Sequence, residues 1–329
     1  MSKMKLGLLL PNQGVVFGAV TIKEMLGMAE EADGSQLFDS LFVGDNLLAK
    51  PRLESVTLLS TLAGRTRHAR LGTACMASFP LRNPIVLAAQ WAALDNLSEG
   101  RSLLVACIGG GGSHGIVGGF ANEYRAFGIP PGERVERLLE GMQVLRTLWT
   151  DDPATHHGKF FDFEDVAVRP APVQKPCPPI WIANNPQAFK ASPAIYDRAI
   201  SRVGRHADGW MTTMVTPEQY RTGWQAVRAA AATHGRDPAK IEGCVYHNVH
   251  IGERETAFEQ SKRFLDEYYT TDFDRDFVEM WTAHGPPEEC AETLRAFADA
   301  GVDLLSVRFS AYDQLGQMRR FVNEVVPLL

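Results

Sequence analysis

Four short apolar runs open the chain: Lys5–Pro11, Phe38–Asn46, Ala69–Cys75 and Arg101–Gly109. Each runs out at glycine, aspartate, asparagine, proline or threonine, and a stretch with helical spacing separates each from the next. Strands that are half buried alternate with a period of two, whereas near-continuous apolar runs fit strands covered on both faces. The pattern continues with strands at Pro179–Ala183, Ala207–Thr212, Gly243–Val249 and Leu304–Phe309. Eight strands, each followed by a helix, predict an α/β fold of the (β/α)8 TIM-barrel type, occupying residues 1–329 as one domain. No GxGxxG follows an early strand, which argues against a doubly wound dinucleotide-binding sheet.

Three segments break the rhythm and are expected as insertions on the C-terminal face of the barrel. They are the glycine-rich Gly109–Gly132, the proline-rich Thr150–Pro179 and the polar, aromatic Thr270–Gly285. Gly158–Phe163 and Val166–Val168 alternate like a small hairpin. The helix after the fifth strand is expected over Pro186–Gly204.

The 33 basic and 39 acidic residues leave a net charge of -6 with no long run of one sign, so nucleic-acid binding has no support in bulk charge. Leu6–Leu10 is too short for a membrane span, and no small-residue cleavage site follows it. The expectation is a soluble cytoplasmic protein that binds no membrane. Cys75, Cys107, Cys177, Cys244 and Cys290 form no CxxC pair, which fits reduced thiols rather than a disulfide framework or a zinc site. No HExxH and no Gly-x-Ser-x-Gly elbow occurs, and no metal is expected.

In such barrels the chemistry sits on loops at the C-terminal ends of the strands. Asp45 and Asn46 follow strand two, as pocket donors and acceptors or as a brace for the loop. Arg82 and Asn83 follow strand three and could hold a ligand. Cys107 ends strand four, either as a buried small residue or as a reactive thiol. Gly109 opens the glycine-rich loop that carries His114, a candidate for substrate or cofactor contact. Asn184 and Asn185, just before a helix, form an anion-binding corner or an ordinary cap. His68, His156, His157, His234 and His284 read as surface residues. With no nucleophilic triad or metal motif visible, the site is consistent with an organic cofactor that supplies the chemistry.

Along essentially its whole length the chain resembles the bacterial luciferase-like family of flavin-dependent oxidoreductases. The likeness is carried by Phe38-Asp-Ser-Leu-Phe-Val-Gly-Asp45, Arg70-Leu-Gly-Thr73, Pro80-Leu-Arg-Asn-Pro84, the run Ala88–Arg101, Pro178–Ile182 and Ala207-Asp-Gly-Trp210. The resemblance implies reduced FMN, or the deazaflavin coenzyme F420, at the C-terminal face. Asp45 and Asn46 would line its ring, and Thr73, Ala74 and Cys75 would lie beneath it. It also implies a cis peptide at Ala74–Cys75 and phosphate binding at Asn184 and Asn185. Several members carry a histidine where this chain has Asn46, and an amide cannot shuttle a proton as imidazole does.

The leading functional expectation is a monooxygenase that uses reduced FMN from a separate flavin reductase, and oxygen, on a small organic substrate. Phe17, Phe79, Cys107 and Trp210 are expected as its apolar lining, with Asn46, Asp45 and His114 at the reacting centre. The alternatives are a coenzyme F420-dependent dehydrogenase or reductase, with Arg52, Arg82 or Arg125 holding the acidic tail, and a non-catalytic flavin-binding protein. A homodimer is expected through Leu53–Ala63 and Ile85–Leu97, with Val56 and Trp91 on the outer apolar face.

Overall fold

The computed structural model describes residues 4–110, 118–188 and 191–329. The strands are β1 (Lys5–Leu10), β2 (Phe38–Asp45), β3 (Arg70–Met76), β4 (Ser102–Ala106), β5 (Ala154–His157), β6 (Asp162–Val166), β7 (Ile180–Ala183), β8 (Gly209–Thr213), β9 (Glu242–Ile251), β10 (Thr282–Gly285) and β11 (Leu304–Phe309). The α-helices are α1 (Ile22–Ser35), α2 (Ser55–Arg65), α3 (Pro84–Leu97), α4 (Gly118–Ala126), α5 (Arg134–Thr150), α6 (Pro193–His206), α7 (Pro217–Thr233), α8 (Arg254–Tyr269), α9 (Arg275–Trp281), α10 (Pro287–Asp299) and α11 (Gln314–Arg320).

Eight parallel strands close in the order β1-β2-β3-β4-β7-β8-β9-β11, and β11 pairs back onto β1. This is the predicted (β/α)8 barrel. Helices cover the outer face, where Leu8, Leu41, Leu71, Leu104, Ile182 and Val245 are fully or almost fully buried. The alternate residues Leu9, Phe42, Leu103, Val105, Trp181, Met211, Cys244 and Leu304 fill the interior. Large rings are admitted there because glycines face them. A Cβ on Gly72 would stand 2.7 Å from the Leu103 carbonyl oxygen, and one on Gly209 would stand 2.4 Å from the Trp181 ring. At the N-terminal end Arg70 joins Asp39 and Glu242 at 2.5 and 2.8 Å and lies over the Trp181 ring. The lower barrel is therefore a packed, ion-paired plug.

The sequence pattern went astray where local signals were weak. The hairpin pairs Ala154–His157 with Asp162–Val166, so its first arm is shifted from the predicted Gly158–Phe163. The Thr150–Pro179 insertion meets the N-terminal end of the barrel, where Gln174 donates to the carbonyl of Ser102 at the start of β4, and not the predicted C-terminal face. Thr270–Gly285 holds α9 and the short β10. The ninth strand pairs with the upper part of β9, Asn248–Ile251, beyond the stretch Glu242–Tyr246 that β8 occupies. It thereby heightens one wall of the barrel mouth. Val56 and Trp91 do not form an outer apolar face: they are 6% and 0% exposed, packed among the helices of their own chain. His156 and His284 are buried rather than on the surface. No helix among the described residues is long and apolar enough to cross a membrane.

His247 is the least expected core residue. It sits on the outer face of β9 against Phe297, with no hydrogen-bond partner for either ring nitrogen among the described residues. Burial brings its imidazole down to about 3. A histidine whose folded pKa lies below its unfolded one binds its proton first in the unfolded chain. Stability therefore falls as pH drops from about 6.5 toward 3, with a limiting slope of about 1.4 kcal/mol per pH unit. His247→Leu should remove this contribution. Urea titrations of both proteins from pH 7 to pH 4 should show the variant's relative stability growing as pH falls, and parallel pH profiles would refute the assignment.

Candidate active site at the barrel mouth

The β3 ladder is interrupted at the C-terminal face. Register with β4 runs Leu71↔Ser102 and Gly72↔Leu103, then jumps to Met76↔Ala106. The intervening Thr73, Ala74 and Cys75 form a bulge, and the Ala74–Cys75 peptide is cis, as the resemblance implied. Thr73 repairs the ladder with its side chain. Its hydroxyl donates to the Val105 carbonyl at 3.0 Å and accepts from the Val105 N–H at 3.2 Å. Bulges of this kind re-aim backbone beside functional sites. Ala74 and Cys75 stay partly exposed at the mouth.

Cys107 lies beside Cys75, and its sulfur accepts from the Gly109 N–H at 3.4 Å. The Cys107 sulfur and burial push the Cys75 thiol well above its usual value. Both cysteines are free, and the raised Cys75 thiol disfavours a thiolate at that position. Gly109 has φ +66°, and a Cβ there would stand 2.7 Å from the Ala77 carbonyl oxygen, so glycine is required where β4 turns away.

Asp45 braces the site. Its carboxylate accepts from the Ser55 hydroxyl at 2.6 Å, the Ser78 N–H at 2.9 Å, the Ser78 hydroxyl at 2.6 Å and Arg82 at 2.8 Å. Its four acceptor positions are filled and its side chain is fully buried, so it is a positioning residue with no capacity left for substrate. Arg82 also pairs with Glu54 at 2.8 Å, and Asn83 caps α3 through the Ile85 and Val86 N–H groups. Arg82 is thus engaged through Nε and Nη2, and Asn83 through its Oδ1.

Asn46 differs from its neighbour. It is 6% exposed, and its Nδ2 has no partner among the described residues. The next three backbone N–H groups, of Leu47, Leu48 and Ala49, converge on one carboxylate oxygen of Glu123 in α4. Sequence reading missed Glu123 because a single glutamate on a short helix after a glycine-rich loop carries no distinguishing pattern. An unpaired buried amide N–H is costly, so Asn46 is a donor awaiting an acceptor. His114 lies outside the described residues.

Other candidates are redirected. The Asn184 side chain donates to the Ala199 carbonyl and accepts from Trp210 Nε1, both at 3.0 Å, so it clamps α6. Among the described residues the Asn185 side chain donates to the Met214 sulfur at 3.7 Å. The following helix starts at Pro193 and not at the predicted Pro186. Trp210 points outward from β8 into a stack with Tyr220 and Trp224, and Phe79 packs against Gly141 of α5. Neither lines the mouth. Phe17 does stand there, edge-on to Phe264 and Tyr268 at 5.8 and 6.2 Å. No group of three or more histidine, cysteine, aspartate or glutamate side chains among the described residues could hold a metal ion.

The sequence pattern of luciferase-like monooxygenases matches residues 4–304. The chain belongs to the luciferase-like monooxygenase family. Among curated luciferase-like relatives, it is 31% identical over 193 residues to a phthiodiolone/phenolphthiodiolone dimycocerosates ketoreductase of Mycobacterium kansasii, covering 57% of this chain and 47% of that protein. The matched segment thus spans about half of that relative. It is 24% identical over 321 residues to an F420-dependent glucose-6-phosphate dehydrogenase of Kineococcus radiotolerans, covering 89% of each. Two solved structures share the fold. The monooxygenase RslO1 of Streptomyces bottropensis superposes with TM-score 0.78 at 24% identity, over 98% of this chain and 99% of that one. An F420-dependent secondary alcohol dehydrogenase superposes with TM-score 0.82 at 18% identity, over 99% of each. Membership places this luciferase-like chain among flavin- and deazaflavin-dependent oxidoreductases.

The brace predicts a specific failure. Asp45→Ala leaves Ser78 and Arg82 without their buried acceptor, and removing one member of a buried ion pair costs about 3–5 kcal/mol. Arg82 keeps Glu54, so the lower figure is expected. Urea unfolding should show a loss of about 3 kcal/mol, and a loss below about 1 kcal/mol would show that the four contacts do not hold the loop.

Proposed function

We propose that the protein is a deazaflavin-dependent dehydrogenase or reductase that interconverts a carbonyl compound and its alcohol. The buried, unpartnered Asn46 Nδ2 at the end of β2 carries this reading. Hydride addition to a carbonyl carbon leaves negative charge on the oxygen. A fixed N–H donor stabilises that charge without giving up its own proton. The curated relatives support the same class, since one is named a ketoreductase and another an F420-dependent dehydrogenase. The monooxygenase expectation yields to this alternative as the better supported of the two.

The deazaflavin, when bound, supplies or accepts the hydride. The residues fit a flat tricyclic ring: the bulge at Ala74–Cys75, the small Gly109 and the free Asn46 amide border one side of the mouth. The Cys75 thiol, raised by its Cys107 neighbour and by burial, offers the ring a neutral contact. Asn46 orients the carbonyl oxygen, and Phe17 shields the reacting carbon from water. The proton that completes the alcohol comes from solvent water, because the Asn46 amide cannot release one.

Anaerobic titration should show tighter binding of the deazaflavin than of FMN, by at least tenfold. A panel of ketones and aldehydes should then oxidise the reduced deazaflavin. Asn46→Ala should lower turnover by about 10–100-fold, the equivalent of one buried donor at about 1–3 kcal/mol, with little change in coenzyme affinity. Oxygen-dependent product formation with reduced FMN would overturn the proposal in favour of a monooxygenase. Tight coenzyme binding with no turnover of any carbonyl or alcohol would favour a non-catalytic flavin-binding protein.

A further inference from the structure

Across the mouth from the cis peptide stands a wall of a different chemistry. In the eight-strand ring β9 lies opposite β3, and β11 lies opposite β4. Arg308, on β11, is 1% exposed. Its Nε donates to Asn248 Oδ1 at 2.9 Å and its Nη1 to the Tyr269 hydroxyl at 3.1 Å, while Nη2 has no partner among the described residues. Its guanidinium lies 4.4 Å from the Tyr268 ring centre and 5.1 Å from that of Tyr246.

Two more cations converge on the same aromatics. Lys50 Nζ lies 4.4 Å from the Tyr269 ring centre, and Arg52 lies 6.0 Å from that of Tyr268. Arg52 occupies the space over Gly44, where a Cβ would stand 2.1 Å from its Nη1. None of the ion pairs among the described residues includes Lys50, Arg52 or Arg308. Burial, then the charges of Arg52 and Arg308, bring the Lys50 ammonium down to about 8. Burial pushes the Tyr268 phenol up, but the two arginines outweigh it and hold the group below its ordinary value.

Ring faces attract a guanidinium, yet they offer no acceptor to Nη2 and no counter-charge. Two further cations gathered with a fully buried arginine, in a chain with net charge -6, call for an anion. A planar guanidinium with a free N–H suits an oxyanion. We propose that the β9–β11 wall of the mouth is an oxyanion subsite that takes the carboxylate or phosphate head of the substrate, its neutral remainder extending toward Asn46. The position of that remainder rests on the function proposed above; the anion subsite does not. An oxyanion could also come from the coenzyme, through its phosphate or acidic tail. The placement opposite the β3 bulge, and the depth of Arg308 inside the barrel, favour the substrate.

Calorimetric titration of the coenzyme-free protein with butanoate, inorganic phosphate and the neutral butanamide tests this without turnover. Butanoate and phosphate should bind, and butanamide should bind at least tenfold more weakly. Arg308→Met should weaken anion binding at least tenfold, with Arg308→Lys intermediate. Arg52→Gln, at a partly exposed position, should weaken it about threefold and carries the test if Arg308→Met does not fold. Anion affinity should be unchanged with the deazaflavin or FMN at saturation. Competition between anion and coenzyme would overturn the assignment to substrate. Equal binding of butanamide, or wild-type anion affinity in both Arg52→Gln and whichever Arg308 variants fold, would overturn the subsite itself. Absence of hydride transfer with unaltered anion binding would defeat the proposed reaction and leave the subsite standing.

Discussion

The mouth of this barrel depends on one carboxylate. Asp45 ends β2 and simultaneously holds the first residue of α2, through Ser55, and the turn after β3, through Ser78 and Arg82. A barrel strand is secured along its length by its neighbours, but its C-terminal loop has no ladder to define it. Four acceptor interactions from a buried Asp45 supply that definition where β3 abandons its register. The bulge at Ala74–Cys75 can then project backbone into the mouth, because the segments on either side of it are fixed. Asp45 therefore shapes the site without joining the chemistry.

The barrel itself was legible because burial on both faces leaves runs such as Leu8-Leu-Leu10 and Leu103-Leu-Val105, which few other arrangements explain. Side-chain direction was harder to read. Trp210 and Met211 are both apolar neighbours on β8, and nothing in their types says which faces the barrel interior. The structure turns Met211 inward and Trp210 outward, where Asn184 satisfies its indole N–H. That bond removes Trp210 from the apolar lining. Phe79 and Trp91 failed for a related reason: large rings close to the strand ends also fill gaps between helices. Asn46 was found in the sequence by position alone, but its unpaired amide depends on tertiary packing.

The cationic wall was hidden for a different reason. In Leu304-Leu-Ser-Val-Arg-Phe309 a lone arginine reads as the solvent-facing end of a strand. Parity instead aligns Arg308 with Ser306 and Leu304, toward the interior. Lys50 and Arg52 lie in a loop whose path no local periodicity specifies, and Tyr268 and Tyr269 end α8. Their meeting depends on β10, the strand absent from the eightfold pattern. β10 continues the wall beside β9 above the end of β8, and Trp281 leads directly into it. Trp281 is tied to Thr213 through its indole and to Asn248 through its carbonyl. Asn248 in turn accepts from Arg308.

The two walls are consequences of the same filled interior. Phe42 and Trp181 occupy the central volume above the Arg70 ion pairs, which leaves only the upper layer of the barrel open to a ligand. In that layer β3 and β4 present small, neutral groups around a bulge, whereas β9 and β11 present aromatic rings and cations. A low-dielectric floor strengthens both a hydrogen bond from Asn46 and the field of Arg308. A ligand spanning the mouth would meet a neutral donor at one side and positive charge at the other. Its orientation would then be fixed by charge before any chemistry at Asn46, which follows β2, the next strand but one from β11 in the closed sheet.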